Sequence, residues 1–124
     1  MMRRRLVVPC CLLAGLALGC PSGDSVQLSE AAQRGRGVYM NVCVACHAAD
    51  PGQDGALGPS LAGATRELIE WRVVRGAYPP GYTPKRTTGA MPAFPHLAAS
   101  VDDLYAFVRE STANAAPAGP AAAP

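Results

Sequence analysis

The chain has 124 residues, of which 11 are Lys or Arg and 9 are Asp or Glu, so its formal net charge is +2. Three of the basic residues, Arg3, Arg4 and Arg5, precede an apolar run, and from residue 20 onward the chain holds 8 basic and 9 acidic side chains. This near-neutral balance, without a long run of like charge, excludes nucleic acid as an expected partner, because phosphate binding requires clustered Lys and Arg.

Residues 1–19 are predicted to be an export signal peptide. The basic residues 3–5 are followed by an almost uninterrupted apolar run over residues 6–18. That run is shorter than the roughly 20 residues that a helix needs to cross a bilayer. Residues 17–19 read Ala-Leu-Gly, a small-x-small pattern typical of signal cleavage. We therefore expect the mature chain to begin at residue 20, on the periplasmic side.

Cys20 directly follows the predicted cleavage position. The segment Leu-Ala-Leu-Gly-Cys over residues 16–20 resembles a bacterial lipoprotein signal, in which the cysteine carries the lipid. This resemblance implies acylation of Cys20 and an anchor in a bacterial membrane. Ordinary cleavage, which leaves an unmodified cysteine, is the alternative. Pro21, and not an acidic residue, follows Cys20; by the same resemblance to bacterial lipoproteins, this favours sorting to the outer membrane.

Composition divides the remaining chain into three parts. Residues 20–27 are polar and rich in Ser and Gly, which suits a tether between an anchor and a domain. Residues 113–124 are almost entirely Ala, Pro, Gly and Asn, so they offer nothing to bury and are predicted to be disordered. One domain, residues 28–112, is left between them. It is small for an unaided hydrophobic core.

Three helices are predicted in that domain. Ser29 is expected to cap a helix that continues to Val42, because apolar side chains recur there at helical spacing. Thr65 and the helix-stop residue Gly76 predict the bounds of a second helix. Ser100 is predicted to cap a third, whose first turn carries two acidic residues. No strand-like alternation is visible, so the fold class is all-α.

Residues 43–47 read Cys-Val-Ala-Cys-His, the C-x-x-C-H pattern of c-type haem attachment. In such a motif two thiols add to the vinyl groups of haem and the histidine ligates iron. Cys43 and Cys46 are thus predicted to hold one covalent haem c, with His47 as the proximal iron ligand. A redox dithiol or half of a zinc site is the alternative for two cysteines alone. Zinc would need two further ligands, and His96 is the other histidine of the chain.

Together these features resemble the small bacterial monohaem cytochromes c of class I, over nearly the whole domain. In that family a small residue and an aromatic residue precede the haem motif at fixed distances, and Gly35 and Tyr39 occupy those positions here. The resemblance implies that the first and last helices cross closely at Gly35, with Phe107 packed at the crossing. It also implies a cytochrome c fold of three to four helices wrapped around the haem.

Two loop segments carry the rest of the resemblance. Residues 58–63, Gly-Pro-Ser-Leu-Ala-Gly, are similar to a family segment that supports the haem. By this resemblance the Pro59 carbonyl accepts a hydrogen bond from the ligating histidine, and Leu61 lines the haem wall. Residues 89–94, Gly-Ala-Met-Pro-Ala-Phe, are similar to the loop that presents the axial methionine. This makes Met91 the distal iron ligand.

Two other side chains compete with Met91 for the sixth coordination position. Met40 lies in the helix that leads to Cys43 and is too constrained to reach the far face of a haem. His96 would give bis-histidine coordination and a lower reduction potential, whereas a thioether stabilises ferrous iron and raises it.

Five residues outside these motifs have weaker assignments. Trp71 is expected to pack in the core, with a hydrogen bond to a haem propionate as the alternative. Lys85 and Arg86 are interpreted as solvated loop residues; screening of the propionates or contact with an acidic partner is the alternative. Tyr78 and Tyr82 could pack on the haem edge.

The expected function is one-electron transfer between exported or membrane redox proteins, through iron that cycles between the ferrous and ferric states. No substrate pocket or acid/base pair is recognisable, so we expect an electron carrier rather than an enzyme. Its donor and acceptor would dock transiently. A haem-bearing subunit of a larger oxidoreductase complex is the alternative, and a haem-based gas or redox sensor is a third interpretation.

Overall fold

Three α-helices and two 3-10 turns make up the domain in the computed structural model, which describes residues 27–87 and 89–113. The helices are α1 (Glu30–Val42), α2 (Arg66–Arg75) and α3 (Val101–Ala113). The 3-10 turns are Cys43–Ala45, directly after α1, and Pro95–Ser100, directly before α3. The described residues contain no β-strand. The predicted all-α fold class is confirmed.

The first two helices begin and end at the predicted residues. The side-chain oxygen of Ser29 accepts a hydrogen bond from the Ala32 amide at 3.2 Å, and that of Thr65 accepts one from the Leu68 amide at 3.1 Å. Each bond satisfies a backbone donor that the first helical turn leaves unpaired. Gly76 ends α2 in the left-handed conformation, with φ of 66°.

The prediction that Ser100 caps the third helix is wrong. Ser100 is the last residue of the 3-10 turn Pro95–Ser100, and that turn continues into α3 without a non-helical residue between them. Its first residue is a proline, whose fixed φ suits the start of a helical turn. The Val101 amide therefore already donates to the Ala98 carbonyl, and no capping side chain is needed.

α3 ends at Ala113, one residue beyond the predicted domain boundary. The predicted signal peptide (1–19), the proposed lipidation site Cys20 and nearly all of the tether (20–27) lie outside the described residues, as does the remainder of the predicted tail. Among residues 27–87 and 89–113, no helix combines the length and the hydrophobicity required to cross a bilayer.

The close crossing of α1 and α3 is confirmed, and it depends on Gly35. A Cβ atom at this position would overlap the main-chain carbonyl of Asp103, so only glycine allows the two backbones to approach this far. One turn further along α1, the Tyr39 ring packs against Phe107 with centroids 5.2 Å apart and planes inclined by 56°. Such a tilted aromatic pair adds to the stabilisation gained from burial.

Two sets of polar contacts join α1 and α3 between the crossing and the start of α1. The Arg34 guanidinium donates two hydrogen bonds to the Asp103 carboxylate, at 2.9 and 2.8 Å, and holds the pKa of that carboxyl below its usual value. Near the start of α1, the amide and hydroxyl of Ser29 donate to the Glu110 carboxylate at 2.9 and 2.8 Å. These bonds lower the pKa of Glu110. The start of α1 is thus fastened to the last turns of α3.

The buried hydrophobic core is small and comes entirely from the helices. Its members are Ala32, Tyr39, Ile69, Val73, Val101, Leu104, Phe107 and Val108. Trp71 is not among them, contrary to the prediction: it is half-buried, and the Arg75 guanidinium lies 4.4 Å from its ring centroid. Among the described residues no polar or charged side chain is fully buried.

The crossing predicts opposite effects for two glycines of α1. Gly35→Ala forces α1 and α3 apart and is expected to lower the free energy of unfolding by about 1–3 kcal/mol or more, as overpacking does. Gly37→Ala places its Cβ where no other atom lies within 4 Å, and it is expected to stabilise the helix by about 0.5–1 kcal/mol. Denaturant titrations of both variants measure this difference. Equal stability of the two would show that the backbones do not approach as described.

Candidate haem site

One cavity of the described domain collects every side chain that the sequence assigned to a haem. Its lining includes Cys43, Cys46, His47, Pro59, Leu61 and Met91. These residues come from three separate stretches: the end of α1 with its 3-10 turn, the loop before α2, and the loop before the Pro95–Ser100 turn. The fold therefore brings the two cysteines, the histidine and the methionine to the same space.

Much of the remaining cavity wall is apolar and comes from the faces of all three helices. Tyr39 of α1, Ile69 and Val73 of α2, and Leu104 and Val108 of α3 line it. The Tyr39 hydroxyl donates to the Ala48 carbonyl at 2.7 Å, so its polar atom is satisfied, and burial raises the pKa of this phenol. Such a wall suits a large, flat, apolar ligand.

The cysteine motif begins in the tight turn that ends α1. The Cys46 amide donates to the Cys43 carbonyl at 3.1 Å, which closes a 3-10 turn, and the His47 amide donates to the same carbonyl at 2.9 Å. Both cysteines are half-buried and form no disulfide. Burial, followed by the neighbouring Cys46, raises the pKa of the Cys43 thiol to about 11. Cys43 is therefore a neutral thiol at physiological pH.

One of the two ring nitrogens of His47 is engaged in a hydrogen bond. Its Nδ1 lies 3.1 Å from the Pro59 carbonyl oxygen. Because a carbonyl only accepts, this hydrogen bond places the proton on Nδ1 and leaves the lone pair of Nε2 available. Burial lowers the pKa of His47, and the Pro59 bond opposes this shift only in part. The neutral ring, which is the form that ligates metals, is favoured.

The loop that carries Pro59 folds back onto the cysteine motif. The Cys46 carbonyl accepts hydrogen bonds from the amides of Leu57 and Gly58, at 3.2 and 2.9 Å. Gly58 then passes directly under the imidazole: a Cβ atom there would lie 2.5 Å from two ring atoms of His47. The absence of a side chain at this position creates the space in which the ring stands.

Met91 reaches the cavity from a loop fastened to α2. Just beyond it, the Phe94 amide donates to the Val73 carbonyl at 2.6 Å. Met91 is half-buried and packs against the hydrophobic core. The two competing side chains lie elsewhere: His96 is exposed beside the Phe94 ring, Met40 is 36% exposed on α1, and neither lines the cavity.

Residues 30–109 match the family model described as "Cytochrome C oxidase, cbb3-type, subunit III", which covers more than half of the chain. The chain belongs to this cytochrome c family. Neither the curated proteins nor the solved structures gave a significant match. Membership implies covalently bound haem c with its iron, and haem-based electron transfer as the general role. The helical architecture agrees with a small all-α cytochrome c fold.

The cytochrome c site fits a haem by the chemistry of its donor set. It offers two thiols, an imidazole with a free Nε2 and a thioether within a mainly apolar cavity. The zinc alternative would need a cluster of four His, Cys, Asp or Glu ligands. In the part of the chain that the structure describes, no three such side chains converge as a metal-binding group.

Around the cytochrome c site, Arg72 was missed in the sequence and Lys85 and Arg86 were misread as solvated, whereas Tyr78 and Tyr82 lie in the cavity wall, as their suggested packing on the haem edge requires. Arg72 lines the cavity, and its guanidinium lies 4.3 Å from the Tyr78 ring centroid. In the sequence, Arg72 recurs at helical spacing with the apolar residues of α2, and this spacing could have indicated that it faces the cavity. Tyr78 and Tyr82 stack with centroids 5.3 Å apart, and both line the cavity. Lys85 and Arg86 line it as well, and both are hydrogen-bonded to main-chain carbonyls rather than simply solvated.

Gly58→Ala is expected to damage the site while leaving the helices intact. The added methyl group would push the His47 ring away from the Pro59 carbonyl, because it would lie only 2.5 Å from ring atoms. We expect a lower yield of haem-loaded protein and a loss of about 1–3 kcal/mol in its unfolding free energy. Absorption spectra and denaturant titration measure both.

The matched control for this substitution is Gly89→Ala, whose Cβ would have no neighbour within 4 Å. Gly89→Ala should equal the parent protein in haem loading and in the free energy of unfolding. A Gly58→Ala variant with normal haem loading and normal stability would contradict the packing of Gly58 against His47.

Proposed function

We propose that this cytochrome c carries a single haem and transfers one electron at a time. Cys43 and Cys46 would hold the haem covalently, and His47 and Met91 would ligate its iron. The observation that carries the proposal is the common cavity, which is lined by both cysteines, by an imidazole oriented through Pro59 and by Met91.

The chemistry of the ligands favours electron transfer over catalysis. When bound, the haem supplies a ferrous/ferric couple. The thioether of Met91 is a soft, neutral ligand that favours the ferrous state and raises the reduction potential. With His47 and Met91 both bound to the iron, no position would remain open for oxygen or a substrate, and Leu61 and the helical wall would place apolar side chains against the haem. The hydrogen bond that Nδ1 of His47 donates to the Pro59 carbonyl would keep the imidazole fixed when the charge of the iron changes.

The carrier is proposed to work on the exported side of a bacterial membrane. Cleavage of the predicted signal peptide and acylation of Cys20 would tether the domain to the membrane, with Pro21 favouring the outer membrane. A tether confines the search for partners to the membrane surface. The electron donor and acceptor are redox proteins that dock briefly near the haem and dissociate quickly.

A dedicated haem subunit of a larger oxidoreductase complex is the second candidate. The matching family is described as a subunit of a cytochrome c oxidase, and that description favours this alternative. Gentle detergent extraction followed by purification of the tagged chain separates the two functions. A stoichiometric catalytic partner supports the subunit, whereas a monomeric cytochrome that exchanges electrons with added redox proteins supports the carrier.

Met91→Ala is expected to remove the sixth ligand without removing the haem. The oxidised variant should lose the thioether-to-iron charge-transfer absorption completely, and its reduced form should bind carbon monoxide. Intact mass should still include the haem, because Cys43 and Cys46 are unchanged. Met40→Ala and His96→Ala, at positions outside the cavity lining, should keep the absorption. If the thioether-to-iron absorption survives in Met91→Ala, the sixth ligand is another residue. Ready carbon monoxide binding by the unaltered protein would favour a gas sensor.

The intact mass of the protein from the membrane fraction tests the covalent modifications. In a host with haem-attachment machinery, we expect the mass of residues 20–124 plus one haem and the acyl chains of a lipoprotein. Cys20→Ser should yield a haem-bearing protein without acyl chains, released into the soluble fraction. An unaltered chain that lacks haem would contradict the function, and one that has haem but no acyl chains would contradict only the anchor.

A further inference from the structure

The loop that presents Met91 has few attachments to the rest of the domain. Between Tyr82 and Phe94, the described residues make no main-chain to main-chain hydrogen bond, so the loop is not held by secondary structure. Its polar attachments come from the side chains of Lys85 and Arg86. Both reach back to the segment that follows the cysteine motif.

Lys85 makes the shorter contacts of the two. Its ammonium group donates to the Ser60 carbonyl at 2.9 Å and to the Ala62 carbonyl at 2.8 Å. Arg86 reaches the Gly55 carbonyl at 3.3 Å and the Asp54 carboxylate at 3.5 Å. Hydrogen bonds from a charged donor are among the stronger ones in proteins when the distance between donor and acceptor is short. Lys85 is therefore the firmer of the two attachments.

The two carbonyls that Lys85 binds belong to the segment that supports His47. Ser60 directly follows Pro59, whose carbonyl oxygen lies 3.1 Å from Nδ1 of the imidazole. Leu61, between the two bound carbonyls, lines the cavity. The other hydrogen bonds of this segment are to residues close in sequence: the Leu61 amide donates to the Pro51 carbonyl, and the Ser60 amide donates to the Asp54 carboxylate.

We propose that Lys85 is a positioning residue that joins the loop presenting Met91 to the segment orienting His47, and so holds the methionine against the iron. This role rests on the proposed ligation by His47 and Met91. A single side chain thereby connects the supports of the two axial ligands, although it touches neither. Loss of that connection frees the methionine loop to move away from the cavity and opens the sixth coordination position.

The test compares three variants of the haem-loaded protein. Lys85→Met keeps an unbranched side chain one atom shorter but removes the donors and the charge, whereas Lys85→Arg keeps both the donors and the charge. Arg36→Met removes an exposed cation of α1 that lies away from the cavity lining and controls for the change in net charge. Carbon monoxide binding to the reduced form, the thioether-to-iron absorption of the oxidised form, and amide hydrogen exchange over residues 83–93 are measured.

In Lys85→Met we expect several-fold faster carbon monoxide binding, a weakened thioether absorption and several-fold faster exchange over residues 83–93. Exchange within α1 and covalent haem content should be unchanged. Lys85→Arg should restore the parent behaviour, and Arg36→Met should match the parent throughout. These results together support the positioning role.

Two results would overturn it. The first is a Lys85→Met variant that equals Arg36→Met in carbon monoxide binding and loop exchange. The second is faster carbon monoxide binding without faster loop exchange, because Lys85 would then act through its charge alone. Failure of the proposed function is recognised separately, by the lack of thioether absorption or of covalent haem in the parent protein.

Discussion

The close approach of α1 and α3 at Gly35 is the constraint on which the rest of the domain depends. Because the Asp103 carbonyl fills the space of a missing side chain, the two helices meet tightly enough to pack Tyr39 against Phe107. The same crossing turns one face of each helix toward the cavity. Tyr39, Leu104 and Val108 form part of its wall only because the helices meet at this position.

A small domain with this core needs its cofactor as a structural element. Of the eight buried hydrophobic side chains, Tyr39, Ile69, Val73, Leu104 and Val108 also line the cavity. An apolar macrocycle placed there would add buried area of the kind that stabilises larger domains, at roughly 25 cal/mol per Å². Attachment through two cysteines would make this contribution permanent. The residues predicted to bind the haem would thus also contribute to the stability of the domain.

Features set by local chemistry could be predicted from the sequence, and features set by the path of a loop could not. Ser29, Thr65 and Gly76 mark helix ends through bonds or conformations within four residues of themselves, and all three predictions hold. Ser100 failed because the proline five positions earlier had already started the helical turn. The contacts of Lys85 connect residues 25 and 23 positions apart, and no periodicity or motif marks them. The haem site is the exception among the loops, because the family resemblance predicted that the cysteine motif, Pro59 and Met91 lie around one cavity.

The bonds between Ser29 and Glu110 also fix where the chain enters and leaves the domain. They bring the point where the chain enters α1 beside the last turns of α3, so both ends of the domain leave from one edge. The 13 residues of α1 then rise about 20 Å before the cysteine motif begins. A chain held at its beginning would thus present the motif at the far end of that helix, away from its point of attachment, where a second protein has room to approach.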